Sequence, residues 1–255
     1  MKTQKVDSTK KYRIAKELLE KNKYFEWLSK EEMPPKSYKD HPISSEEELK
    51  ELKKTFEKIQ GYSLGCYIRM KRTDYILNNT KKGENKFTFS YIATPLGQMA
   101  AVFFEERLCL LEFNERKMLE SELNEIIKKH NAFFEYKETK YSKNLQKQLD
   151  EYFSGKRKEF DIPLLLIGTD FQIKVWKTLQ KIPFGEVVSY QKESEMLGNP
   201  LAVRAVANAN GKNKISIIVP CHRVIQKNGN IGGYGGGVDR KRYLLKEVEG
   251  VKQNL

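Results

Sequence analysis

In this 255-residue chain the pair best suited to covalent chemistry is Cys221-His222, within Ile217-Ile218-Val219-Pro220-Cys221-His222-Arg223-Val224. The thiolate is the reactive form of cysteine, and an adjacent imidazole is a natural base for generating it. The β-branched apolar run from Ile217 to Val219 predicts a short buried strand, stopped by Pro220, which has no backbone donor. Nucleophile and base then leave the strand end together. On its own, a Cys-His dipeptide reads more simply as a strand with an inert buried cysteine and an exposed histidine, so the flanks must decide.

Upstream lie Ile182-Pro183-Phe184-Gly185-Glu186-Val187-Val188-Ser189-Tyr190, Gly198-Asn199-Pro200 and Ala202-Val203-Arg204-Ala205-Val206; downstream lies Gly232-Gly233-Tyr234-Gly235-Gly236-Gly237. With the Pro-Cys-His-Arg-Val core these motifs resemble the O6-alkylguanine-DNA alkyltransferases, or methylated-DNA-protein-cysteine methyltransferases, from about Phe87 to Gly250. The resemblance implies an enzyme of direct-reversal DNA repair. It would move an alkyl group irreversibly, once per molecule, from O6-alkylguanine, and less efficiently from O4-methylthymine, to Cys221. Double-stranded DNA carrying the lesion is the implied partner; no cofactor, membrane or obligatory protein partner is implied, and a monomer is.

These residues need elements to position them, and the patterning predicts a mixed α/β chain in three parts. Residues 1–85 read as a charged α-helical extension. One helix is predicted over Tyr12–Asn22, a break at Pro34-Pro35 and Pro42, and a second helix opening at Ser44-Ser45 with Glu46, Glu47 and Glu48 in its first turn. That helix ends at Gly61 and restarts as a basic one through Arg69 and Arg72, which resembles part of the helix-turn-helix domain of arabinose-regulator-type transcription factors. A helical cover with solvated basic faces is the alternative.

Residues 86–165 carry strand patterns at Phe87–Ile92, Met99–Phe104 and Leu108–Phe113, split by turns at Pro95-Leu96-Gly97 and Glu105-Glu106-Arg107. Helices over about Lys117–Lys129 and Ser142–Phe153 and a strand at Phe133–Tyr136 complete a unit that resembles the family's ribonuclease-H-like domain, with Cys109 as an apolar strand residue. Residues 166–255 form a mainly helical, winged-helix-like unit. Thr169-Asp170-Phe171-Gln172 opens a helix with an apolar face at Val175, Trp176 and Leu179. Ser189 caps a helix to Leu197, and after the Gly198-Asn199-Pro200 turn a small-residue helix runs to Asn210, making a helix-turn-helix.

On this frame the resemblance assigns roles. Attack on an O6-methyl group requires the nucleotide to be rotated out of the duplex. Arg204 is the implied finger that fills the gap, with Ala202 permitting close approach and Ser189 and Tyr190 at the DNA. Tyr190 also donates to the leaving guanine. His222 is the base, and since adjacent residues of an extended segment point apart, a water is expected to bridge it to Cys221. Glu249 orients the imidazole, Asn213 ties in the reactive loop, and Arg223 is structural. Pro220, Val224, Tyr234 and Gly235 wall the base pocket.

The net charge of +13 and pI near 9.4 suit a polyanionic partner, although lysine-rich composition also serves solubility. Three unpaired-spacing cysteines (Cys66, Cys109, Cys221) and the absence of a signal-like apolar segment at Met1–Asp7 predict a reducing, cytoplasmic setting. His41, His130 and His222 fall at no metal-ligand spacing. Two rival functions remain from the residues alone: a DNA-binding regulator that reads Cys221 methylation as a signal, and a Cys-His hydrolase that turns over.

Overall fold

A computed structural model describes residues 45–60 and 63–252 and divides the chain into two units, Met1–Ile76 and Leu77–Leu255. The predicted helix over residues 12–22 and the proline breaks after it lie outside the described residues.

In the first unit, α1 (Glu46–Gln60) begins where Ser45 Oγ accepts from the backbone N–H of Glu48 at 3.1 Å. Its three leading glutamates meet the positive end of the helix dipole. Helix α2 (Leu64–Asn79) follows, and Phe56 and Tyr67 bring their rings to 5.3 Å. Arg72, which the helical-cover alternative would put on a solvated basic face, is buried instead.

The second unit opens with a four-stranded sheet of order β3-β2-β1-β4. Strands β1 (Asn85–Ile92), β2 (Met99–Phe104) and β3 (Arg107–Phe113) are antiparallel neighbours, as the two short turns dictate. After α3 (Leu119–His130), β4 (Ala132–Tyr136) returns parallel to β1. Helix α4 (Lys140–Phe153) is held at its start by reciprocal hydrogen bonds between Thr139 and Ser142. Strands β2 and β3 are buried at nearly every residue, so both faces of this part of the sheet are covered. Cys109 is an apolar strand residue, buried in β3, where its thiol donates to the Val102 carbonyl.

The remaining elements pack into the same core. Met99, Phe103 and Phe113 of the sheet and Leu145, Leu149 and Tyr152 of α4 join Trp176, Val206, Ile215 and Val219 in one apolar cluster. Helix α5 (Asp170–Leu179) opens on a Thr169/Gln172 capping box. β5 (Val188–Ser189) leads straight into α6 (Tyr190–Met196), a left-handed Gly198 (φ +81°) ends it, and α7 (Val203–Gly211) follows. A 3-10 turn over Cys221–Arg223 runs into β6 (Val224–Ile225), which pairs parallel with β5. Helix α8 (Val238–Tyr243) and a π-helical turn (Leu244–Val248) deliver Glu249. No described helix is long and apolar enough to cross a membrane.

One expected element is absent. Residues Ile217–Val219 are a turn and not a strand. Only Ile215 pairs in strand fashion, with Leu111 on the β3 edge, through Leu111 N–H to Lys214 O (2.8 Å) and Ser216 N–H to Leu111 O (2.9 Å). Ile217 then adopts a left-handed φ of 73° and reverses the chain, so that Val219 N–H reaches Ile215 O at 3.0 Å. The β-branched composition marks burial of these side chains (Ile217 and Val219 are almost wholly enclosed), since a turn and a buried strand demand the same apolarity. A left-handed isoleucine is a strained conformation held by its surroundings, and strain of this kind gathers at functional sites.

Candidate active site

Cys221 is half-buried at the start of the 3-10 turn. Asn213 organises the approach to it. Its Oδ1 accepts from Ile215 N–H at 3.0 Å, while Nδ2 donates to Val219 O at 2.8 Å and to Cys221 Sγ at 3.2 Å. One amide side chain therefore closes the turn and touches the sulfur. Burial pushes the thiol up to about 11, although the Asn213 hydrogen bond and the charges of Arg116 and Lys241 pull the other way. The sulfur is thus protonated at neutral pH and needs a base.

His222 is fully buried behind it. Its Nε2 lies 2.9 Å from Glu249 Oε1, and its Nδ1 has no hydrogen-bond partner among the described residues. Burial lowers the imidazole, which keeps it neutral. With Glu249 ionised, Nε2 carries the proton and donates, leaving the Nδ1 lone pair as the acceptor. Burial would raise the Glu249 carboxyl, but hydrogen bonds from His222 and Arg223 outweigh it and hold it at about 2. Arg223 donates from Nε and Nη2 to this carboxylate at 3.0–3.1 Å and from Nη1 to Ile182 O. Tyr152 Oη donates to Glu249 at 2.6 Å and Gly185 N–H at 3.3 Å, so every lone pair of this buried anion has a donor near it.

In front of Cys221 is a cavity of about 230 Å³, walled by Tyr190, Asn210 and Gly211 on the helix-turn-helix side and by Tyr234 and Gly235 on the glycine-rich loop. A planar base fits such a volume. Tyr190 is the first residue of α6, directly after Ser189, whose Oγ caps the helix through Lys192 N–H at 3.1 Å. Burial raises the Tyr190 phenol, and the nearby Cys221 raises it further, so it remains a proton donor. The Tyr234 ring meets the His222 ring edge-on at 6.4 Å. Ala202 caps α7, and Arg204 stands exposed in its first turn beside the exposed Ala205.

Not every residue expected at the pocket is there. Val224 does not line this cavity; its carbonyl accepts from Lys241 Nζ at 2.5 Å. Pro220 lines a different groove, with Phe184 and Arg223. The 3-10 turn explains both, because it directs Cys221 into the cavity and carries its neighbours round to other sides.

Sequence reasoning missed a second, charged set beneath the site. Arg116, in the loop after β3, donates from Nη1 to Asn213 O at 2.7 Å and from Nη2 to Gly211 O at 2.8 Å. A side chain on Gly235 would collide with this guanidinium at 2.9 Å, so glycine is required there. Glu112 lies 2.5 Å from this charge and accepts from Ser216, contacts that oppose the rise burial imposes on its carboxyl; Glu122 lies 3.3 Å away, but burial raises its carboxyl to about 8, so it is neutral. Lys241, also enclosed, holds Val224 O and Gly233 O. The signal was present in Glu112, a charge set inside the apolar run Leu108–Phe113, but Arg116 sits in the polar turn Asn114-Glu115-Arg116-Lys117, and nothing in the sequence said which loop it faces.

The chain matches the family models for 6-O-methylguanine DNA methyltransferase, the ribonuclease-like domain over residues 88–166 and the DNA-binding domain over residues 170–251. A methylated-DNA–protein-cysteine methyltransferase of Mycobacterium tuberculosis is 57% identical over 99 residues, which is 39% of this chain and 60% of that relative. The chain thus spans less than two thirds of the mycobacterial relatives. It spans 91% of the Shigella flexneri protein of the same name, at 44% identity over 157 residues, or 61% of this chain. A crystal structure of Mycobacterium tuberculosis OGT in complex with DNA is similar at a TM-score of 0.54 and 39% identity, over 65% of this chain and 92% of that one.

Proposed function

From the premise that this chain belongs to the 6-O-methylguanine DNA methyltransferase family, we propose that it repairs DNA by moving the alkyl group of O6-alkylguanine onto Cys221. The observation that carries this reading is the placement of the Cys221 sulfur in the wall of a base-sized cavity, with a buried His222–Glu249 pair behind it.

Arg204, exposed at the start of α7, enters the duplex and fills the gap left by the rotated nucleotide. The base enters the cavity between Asn210 and the Tyr234 loop. A water relays the Cys221 proton to His222 Nδ1, and Glu249 stabilises the imidazolium. The sulfur attacks the methyl carbon in line; the S–C bond forms as the C–O6 bond breaks, and the electron pair goes to the guanine. Tyr190 donates a hydrogen bond to the departing base, which regains its proton from the imidazolium. The S-methyl thioether is stable to water and no neighbouring group removes it, so each molecule reacts once. O4-methylthymine, with the same alkyl-oxygen bond, is a poorer substrate. The chemistry needs no cofactor, and a reducing cytoplasm preserves the thiol.

Intact-protein mass spectrometry after incubation with a duplex containing one O6-methylguanine tests this. The gain of a single methyl, mapped to Cys221 and lost in Cys221→Ala, is expected. Lesion binding with no mass gain would make the protein a sensor, and repeated turnover would make it a hydrolase.

A further inference from the structure

A second buried carboxyl lies where the helix-turn-helix meets the cavity, and the reaction described above does not use it. Glu193, in the first turn of α6, has no exposed surface, and Asn210, near the end of α7, is 6% exposed. Asn210 Nδ2 donates to Glu193 Oε2 at 2.6 Å. The other two oxygens of the pair, Glu193 Oε1 and Asn210 Oδ1, are both buried and have no partner among the described residues. As a carboxylate, Glu193 would be a buried charge with one donor and no cation.

The surroundings supply none. β5 and β6, packed on α6, present Val188, Ser189, Val224 and Ile225; α7 offers only the exposed Arg204; α5 carries Asp170, Lys174 and Lys177. None of these forms an ion pair with Glu193, and Lys192 on its own helix turns to Glu195. The titratable group that feels its charge is the Tyr190 phenol, itself a cavity wall. An uncompensated buried carboxylate is costly, and a carboxyl so placed neutralises instead.

We propose that Glu193 is a positioning residue held as the neutral acid, its O–H donating to Asn210 Oδ1 while Asn210 Nδ2 donates back. This two-bond ring satisfies all four polar atoms and latches α6, which carries Tyr190, to the end of α7, which carries Asn210 and Gly211. The two helical walls of the base cavity are thereby fixed relative to each other. Burial raises the carboxyl to about 7, so the latch is closed below neutrality and weakened above it. The proposal rests on the alkyl-transfer reading for its purpose and on the pairing geometry for its existence.

Its test has an arm that needs no DNA. In the full-length protein the Glu193 side-chain carbonyl carbon, identified by its loss in Glu193→Gln, is expected to titrate near neutrality by carbon-13 NMR. Because the folded form then keeps a proton that the unfolded form has lost, the contribution of Glu193 to the folding constant should fall about tenfold per pH unit between roughly 4.5 and 7. Glu193→Gln, which presents an amide in place of the acid, should lack that component. In single-turnover transfer from an O6-methylguanine duplex, the ratio of wild-type to Glu193→Gln rates should be close to one at pH 6 and drop above pH 7. Titration of Glu193 in the ordinary carboxylate range, or the same pH slopes in both proteins, overturns the latch while leaving transfer intact. Absence of transfer with a neutral-range titration overturns the proposed reaction and leaves the latch standing.

Discussion

Arg116 donates to the carbonyl oxygen of Asn213 at 2.7 Å, so a loop of the sheet domain holds the asparagine whose own amide touches the reactive sulfur. The guanidinium also takes Gly211 O and lies against Gly235, which places it under both walls of the cavity. Removing it by Arg116→Ala leaves the buried Glu112 without its cation, so that its carboxyl, already raised by burial, rises further, and frees the reactive turn. Breaking such a pair costs about 3–5 kcal/mol. Denaturant unfolding should show a loss of that size, and the transfer rate of the surviving folded fraction should fall as well. Arg116→Lys, which keeps the charge but not the fork, should recover stability better than rate. A stability loss with an unaltered rate would confine Arg116 to the fold.

Among the described residues, Asn213 is the one side chain that donates to the Cys221 sulfur. Asn213→Ala should therefore move the thiol above its already raised value of about 11 and slow its reaction. Alkylation of Cys221 by a small electrophile, followed against pH, measures this without DNA. In the wild type the rate should climb about tenfold per pH unit toward the thiol's own value, and the variant's curve should be displaced to higher pH. A displacement to lower pH would show that the asparagine stabilises the thiol and not the thiolate.

Glu249 gives acid sensitivity. Its folded value, about 2, lies below the unfolded carboxylate value, so between roughly 4.5 and 2 the unfolded state binds the extra proton. Stability contributed by this group is present above that window and is lost as the pH falls through it, by about 3 kcal/mol in all. Glu249→Gln should remove the component from a plot of unfolding free energy against pH. It should also slow transfer, because the imidazolium loses its counter-charge. An unchanged acid limb would mean that Arg223 and His222 stabilise the site without the carboxylate.

Lys241 predicts the opposite limb. Burial brings its ammonium down to about 8, below the ordinary lysine value, so from there to roughly 10.5 the unfolded chain holds the extra proton and stability rises with pH. Lys241→Met should abolish that rise. It should also loosen the glycine-rich loop, since Val224 O and Gly233 O lose their shared donor, which hydrogen exchange of residues 229–237 would report.

The sheet strands were legible because each alternates or runs apolar between short turn signals: Met99–Phe104 is predicted and found with the same limits, and Leu108–Phe113 differs from its strand by one residue. Thr169 and Ser189 announce their helices through capping chemistry that involves residues only three apart. Local interactions of this kind are written in the chain itself. The turn at Ile217 was not, because burial makes a turn as apolar as a strand, and its left-handed backbone is imposed by Asn213 and by the β3 edge.

By itself, then, the amino-acid order determined the sheet strands and the capped helices, the Cys221-His222 pair and the helix-turn-helix that flanks it. Tertiary structure alone decided that Tyr152 and Arg223 join the His222–Glu249 pair that the family resemblance implied, and that Arg116 and Glu193 are buried. A charged residue in a sequence looks the same whether it ends in water or in a core. Its partner is chosen by how distant segments pack, and that choice sets the desolvation, the hydrogen bonds and therefore the protonation state on which the chemistry depends.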